Sequence, residues 1–158
     1  MDKKEFLEKL SSGREEWDSM LSKIRESRMV QPGAVGDWSI KDLVDHVTWY
    51  EREMVGMLKA HALVGSDLWG LPQDERNAVI FEENRHRPLR EVFAESQDIH
   101  QELVEEVRKL TDEDLNDPGR FADMPPDWIP WDLIAGNTYI HYQDHLQDLR
   151  NWFERVET

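Results

Sequence analysis

HYQDHLQDL, residues 141–149, places two of the chain's six histidines four residues apart. Extending outward, Ile134, Thr138, His141, His145, Leu149 and Trp152 recur at steps of three and four residues. That spacing marks one face of an α-helix, predicted from about Pro130 to Glu154. Both imidazoles fall on its apolar stripe, not on the charged side. Side chains at i and i+4 lie side by side on a helix surface, close enough to share one ion. Metal ligands, a solvated pair and hydrogen-bonded core histidines are the three readings of such a pair. Asp144 projects about 100° away from His145 on a helix of 3.6 residues per turn, so it is not counted as a ligand.

The same periodicity recurs upstream. Residues 2–27 read as a first helix, with Asp2 and Glu5 as a capping box and Phe6, Leu10, Trp17 and Leu21 on one stripe. Gly13 weakens its middle. A second helix begins after Ser39, an N-cap supported by Asp42, and carries Leu43, His46, Val47, Tyr50 and Met54 inward as far as about Gly65. Next comes a long connection that holds a short helix over 73–84. Connections of that length in bundles are frequently functional. A third helix opens at Pro88, a favoured first-turn residue, and TDEDL (111–115) adds a capped turn. No segment alternates like a half-buried strand. The expected fold is all-α: an antiparallel four-helix bundle in one domain, 1–158, with a long connection between helices 2 and 3.

Length and composition narrow the function. The chain has 158 residues, enough to bury roughly two-thirds of its unfolded-chain surface, and no cysteine. Thiolate metal sites, disulfides and a cysteine nucleophile are excluded. The charged opening MDKKEFLEKL lacks the apolar core of a signal peptide, and no stretch approaches the ~18 apolar residues of a membrane span. The expectation is a cytoplasmic protein that binds no membrane. A formal charge of −15 argues against nucleic acid, whose phosphates need a basic footprint. Seven tryptophans include several just outside the predicted helices, placed to cap the bundle or line a pocket mouth.

His46 sits on the inward stripe of the second helix. With His141 and His145 it would form an open three-imidazole site for zinc, nickel, copper or iron, with one position left for water or substrate. His100 faces inward by pattern and is read as a core histidine. His61 is placed at a helix end, facing the C-terminal dipole, and His86 in a loop. Four residues near the histidines are candidates to orient a substrate: Trp38, Tyr50, Asn137 and Thr138. Tyr50 follows His46 by one turn, and Asn137 precedes His141 by one turn. Each also reads as a core residue with a satisfied polar tip.

Two segments together carry a resemblance. DWSIKDLVDH (37–46) resembles the entry to the second helix of the DinB/YfiT-like superfamily, where a tryptophan and a polar cap precede a helix bearing a histidine. HYQDH (141–145) resembles that superfamily's last-helix histidine pair, and the 95-residue interval from His46 to His141 suits the pattern. The resemblance implies a four-helix bundle holding a divalent metal on His46, His141 and His145. It also implies activation of a low-molecular-weight thiol or a water at the ion's open position, as in mycothiol-dependent maleylpyruvate isomerase and bacillithiol-linked transferases. The stretch MVQPGAVGDWSIKDLV (29–44) resembles ClbS/DfsB-like proteins, a related group that handles cyclopropane-bearing genotoxins.

Three functions are therefore expected to compete. The first is a metal-dependent transferase or hydrolase acting on a small electrophilic substrate. The second is a non-catalytic binding or dimerisation module. The third is sequestration of a toxic small molecule without turnover. The resemblance makes a homodimer an expectation, with Ile140 off the histidine stripe as a candidate contact.

Overall fold

Side-chain caps set the helix starts. The computed structural model describes residues 1–157. Asp2 accepts the Glu5 N–H at 2.7 Å and opens α1, Lys3–Ser22. Ser39 and Asp42 exchange reciprocal bonds in a capping box that opens α3, Ile40–Ala60. Thr111 and Asp114 do the same for α6, Asp112–Asn116. Between these lie α2, Glu26–Met29, α4, Gln73–Asn84, and α5, Leu89–Lys109. The chain finishes with α7, Pro130–Gly136, and α8, Tyr139–Glu157.

Three predicted boundaries are corrected. The first helix stops at Ser22, because Arg25 is extended and α2 starts anew after it. The second stops at Ala60, short of Gly65, because His61 adopts the left-handed conformation (φ 47°, ψ 42°) and turns the chain. The last predicted helix is two helices. Thr138 turns its hydroxyl back to the Ile134 carbonyl at 2.8 Å, and Asn137 leaves helical geometry (φ −103°, ψ 5°). Such local side-chain bonds compete with the helical ladder.

Ion pairs fix the helix directions. Asp45 meets Arg87 at 3.0 Å and Lys59 meets Glu102 at 2.8 Å, so α3 and α5 run parallel. Lys3 Nζ donates to the Arg108 carbonyl and Arg14 to Ser96 Oγ, so α1 runs against α5. Phe6 packs on Tyr139, and Arg25 pairs with Glu157, so α1 and α8 are parallel. The bundle is thus two parallel pairs running against each other. A parallel α3/α5 pair demands that residues 61–88 travel back along the bundle, and that return carries α4. Among the described residues there is no strand, and no helix is long and apolar enough to cross a membrane.

Where α1 meets α8, Gly13 does the opposite of weakening. A Cβ built there would lie 2.9 Å from Tyr139 Cβ, so glycine permits the closest approach of the two helices. Gly136, the last residue of α7, has nothing within 4 Å of its Cβ position and admits no such approach.

One polar cluster crosses the core between α1, α3 and α5. Arg14 Nη1 lies 3.6 Å from Glu51 Oε2, and Arg14 Nη2 donates to Ser96 Oγ at 2.9 Å. Glu51 is 0 % exposed. Burial pushes its carboxyl up to about 8, against the opposing pull of Arg14. His100 is half-buried, 3.3 Å from the Tyr142 hydroxyl.

Candidate metal centre

The antiparallel register of α3 and α8 sets His46 against both histidines of the last helix. His46 Nε2 lies 3.1 Å from His141 Nε2, and His145 Nε2 lies 3.2 Å from the same atom. His46 is buried and the other two are half-buried. The donor atoms of all three lie within 4.8 Å of one another.

The donor set fits a metal ion better than it fits hydrogen bonding. Each imidazole nitrogen presents one in-plane site, either an N–H or a lone pair. His141 Nε2 therefore cannot serve both of its close neighbours by hydrogen bonding. One cation accepts all three lone pairs at once. Tetrahedral coordination at zinc–nitrogen distances of about 2.0–2.1 Å places donors roughly 3.3 Å apart, close to the 3.1 and 3.2 Å found here.

Electrostatics keep these lone pairs available. Burial pushes the His46 imidazole down to about 2, and His141, His145 and Arg76 add to the shift. Burial, then His145, pushes His141 down to about 3. Both are neutral at neutral pH. His145 Nδ1 lies 3.0 Å from Asp148 Oδ2, which holds the ring with Nε2 toward the cluster. The Nδ1 atoms of His46 and His141 are buried without a hydrogen-bond partner among the described residues. Packing holds those rings instead. The His46 ring centroid is 5.0 Å from that of Trp38 and 5.1 Å from that of Tyr50, and Tyr50 is 5.0 Å from His141.

The histidines line an open cavity of about 510 Å³. Trp38, Tyr50 and Asn137 also line it. Asn137 Nδ2 is engaged with the Leu133 carbonyl at 2.8 Å. Thr138 is the exception among the four candidate substrate residues. It is 0 % exposed, does not line the cavity, and its hydroxyl serves the α7–α8 break. Asp144 lines the cavity but is exposed and stands outside the three-histidine group.

Sequence reasoning missed part of the wall. Trp69, Gln73, Arg76 and Asn77 come from the α3–α5 return and line the same cavity. Tyr50 OH donates to Asn77 Oδ1 at 2.7 Å and accepts from Arg76 Nε at 3.0 Å, which pins α4 over the site. The length of that connection, and a tryptophan lying outside the predicted helices, were the signals available. Asp148 was legible in principle, three residues after His145 on the same helix.

No curated protein matches the sequence. An uncharacterised protein from Escherichia coli UTI89, known from a crystal structure, has the same fold: TM-score 0.77 and 19 % identity, over 99 % of this chain and 95 % of that one. The model of the DinB superfamily matches residues 9–149, a span that contains all three clustered histidines, and the chain belongs to that superfamily.

Proposed function

We propose that this protein is a metal-dependent enzyme that joins a thiol or a water to a small electrophilic molecule. His46, His141 and His145 would hold one divalent ion, zinc or nickel. The observation that carries this reading is the convergence of three Nε2 atoms at the wall of an accessible cavity. A divalent ion on three imidazoles lowers the pKa of a water or thiol bound to it and so supplies a nucleophile near neutral pH.

The chain's own residues do the rest. Asp148 orients His145, a carboxylate contact that also strengthens the ligand's basicity. Trp38 and Tyr50 hold the His46 and His141 rings and present aromatic faces to a substrate. The absence of cysteine means that any thiol is a small molecule brought in from solution, not a side chain.

Elemental analysis of tag-free protein, prepared without chelators, tests the reading beside a His141→Ala/His145→Ala variant. The expected result is about one ion per chain in the parent, as a single three-histidine site requires, and none in the variant. A parent that takes up no metal even on reconstitution would overturn it. Multiple turnovers with an electrophile and a thiol then distinguish catalysis from stoichiometric capture.

A further inference from the structure

Arg76 is the one cationic side chain among the described residues that line the histidine cavity, in a chain with 19 basic and 34 acidic residues. Despite that excess of acid, no carboxylate among the described residues pairs with it. Its hydrogen bonds go to neutral oxygens: Nε donates to Tyr50 OH at 3.0 Å and Nη1 to the Leu71 carbonyl at 3.2 Å. The guanidinium carbon sits 4.8 Å from the Trp69 ring centroid and 5.7 Å from that of Tyr50. These contacts fix the group in place without neutralising it, and Nη2 is left with no acceptor among the described residues. A guanidinium does not shed its proton in a protein, so the charge persists.

Asn77 adds a second donor on the same wall. Its Oδ1 takes the Tyr50 hydroxyl proton at 2.7 Å, which leaves the Nδ2 amide as the group free to contact a ligand. Both groups donate only, which selects a ligand that only accepts. One guanidinium and one amide match the two oxygens of a carboxylate, whereas a phosphate would leave several acceptor sites unmet. Asp144, the one acidic residue lining the cavity, is exposed on α8 and not ion-paired with Arg76.

We propose that Arg76 and Asn77 form a carboxylate subsite, so that the molecule entering this cavity is a small carboxylic acid anchored at α4 while its other end meets the histidines. The reacting end rests on the function proposed above; the anchoring of the anion does not. Preorganisation by Trp69, Tyr50 and Leu71 means that little side-chain freedom is lost on binding.

Benzoate and its neutral counterpart benzamide are the probes, titrated by calorimetry and by the fluorescence of the cavity tryptophans. Both metal-stripped and metal-loaded protein are used, with far-UV circular dichroism as the check on folding. Benzoate is expected to bind the stripped parent more tightly than benzamide. Arg76→Met is expected to weaken benzoate roughly 10- to 100-fold, the scale of a hydrogen bond to a charged group. Asn77→Asp is the second variant: it keeps an acceptor for Tyr50 but sets a carboxylate beside the guanidinium, and it too should lose benzoate. Benzamide binding should change far less in both, since it carries no negative charge to pair with the guanidinium.

Equal binding of benzoate and benzamide by the parent would overturn the proposal. So would benzoate binding that appears only in metal-loaded protein and is indifferent to Arg76→Met, because the anion would then sit on the ion. Arg76-dependent benzoate binding in a parent that never takes up metal would uphold the subsite and sink the proposed function alone.

Discussion

His145 Nδ1 and Asp148 Oδ2 lie 3.0 Å apart, one turn of α8 from each other, and this is the only cluster histidine with a carboxylate behind it among the described residues. The other two rings are held by aromatic packing. The hydrogen bond that orients His145 thus comes from its own helix.

Asp148→Ala is expected to weaken metal binding about 10- to 100-fold, the usual cost of losing such a partner. His145→Ala should abolish metal retention while far-UV circular dichroism stays largely unchanged. Chelator competition measures both. Full metal occupancy in His145→Ala would remove that residue from the ligand set.

Gly13→Ala reverses an ordinary expectation. At an exposed mid-helix site, alanine in place of glycine would stabilise by about 1 kcal/mol. Here the added Cβ meets Tyr139 Cβ at 2.9 Å, an atom fixed to the α8 backbone. Overpacking of this kind costs about 1–3 kcal/mol. Urea denaturation should show a net loss of stability, and a gain would mean that α1 and α8 separate easily.

Glu51→Gln should reshape the pH dependence of stability. Burial holds the Glu51 carboxyl at about 8 in the folded chain, above its ordinary value of 4.5. The unfolded chain thus releases this proton at lower pH, and ionisation favours unfolding as pH rises through that interval. The parent should lose stability relative to Glu51→Gln between about pH 4.5 and 8, with a constant difference outside that window. Parallel thermal melts across that range that keep a fixed offset would rule the effect out.

Tyr50→Phe removes the hydroxyl that accepts from Arg76 and donates to Asn77. Two neighbours lose a partner, so a loss of about 1–3 kcal/mol is expected. The phenyl ring still packs on His46 and His141, so metal stoichiometry should be unchanged. Hydrogen exchange should quicken in α4 and not in α8. Equal quickening in both helices would show that the hydroxyl supports the whole site.

The histidine pair was legible because it is local. Steps of three and four residues place His141 and His145 on one helical face whatever surrounds them, and the same periodicity exposes His46, Tyr50 and the apolar stripes of all four long helices. Caps at Asp2, Ser39 and Thr111 were legible for the same reason, since each is a bond across three residues. The break at Asn137–Thr138 was not, because a helix-compatible stripe continues through it and the competing bond from Thr138 to Ile134 leaves no mark on periodicity.

Tertiary structure alone decided what faces what. The sequence determined that three histidines point inward on two helices. Only the antiparallel register of α3 against α8 brought their Nε2 atoms to 3.1 and 3.2 Å. Likewise, α4 was readable as a helix over 73–84, but its amphipathic pattern is weak. Nothing local says that Arg76 and Asn77 reach Tyr50 across 26 and 27 residues. Helix periodicity records which side of an element is buried; the partner on that side is chosen by packing between elements, and packing is a property of the whole chain.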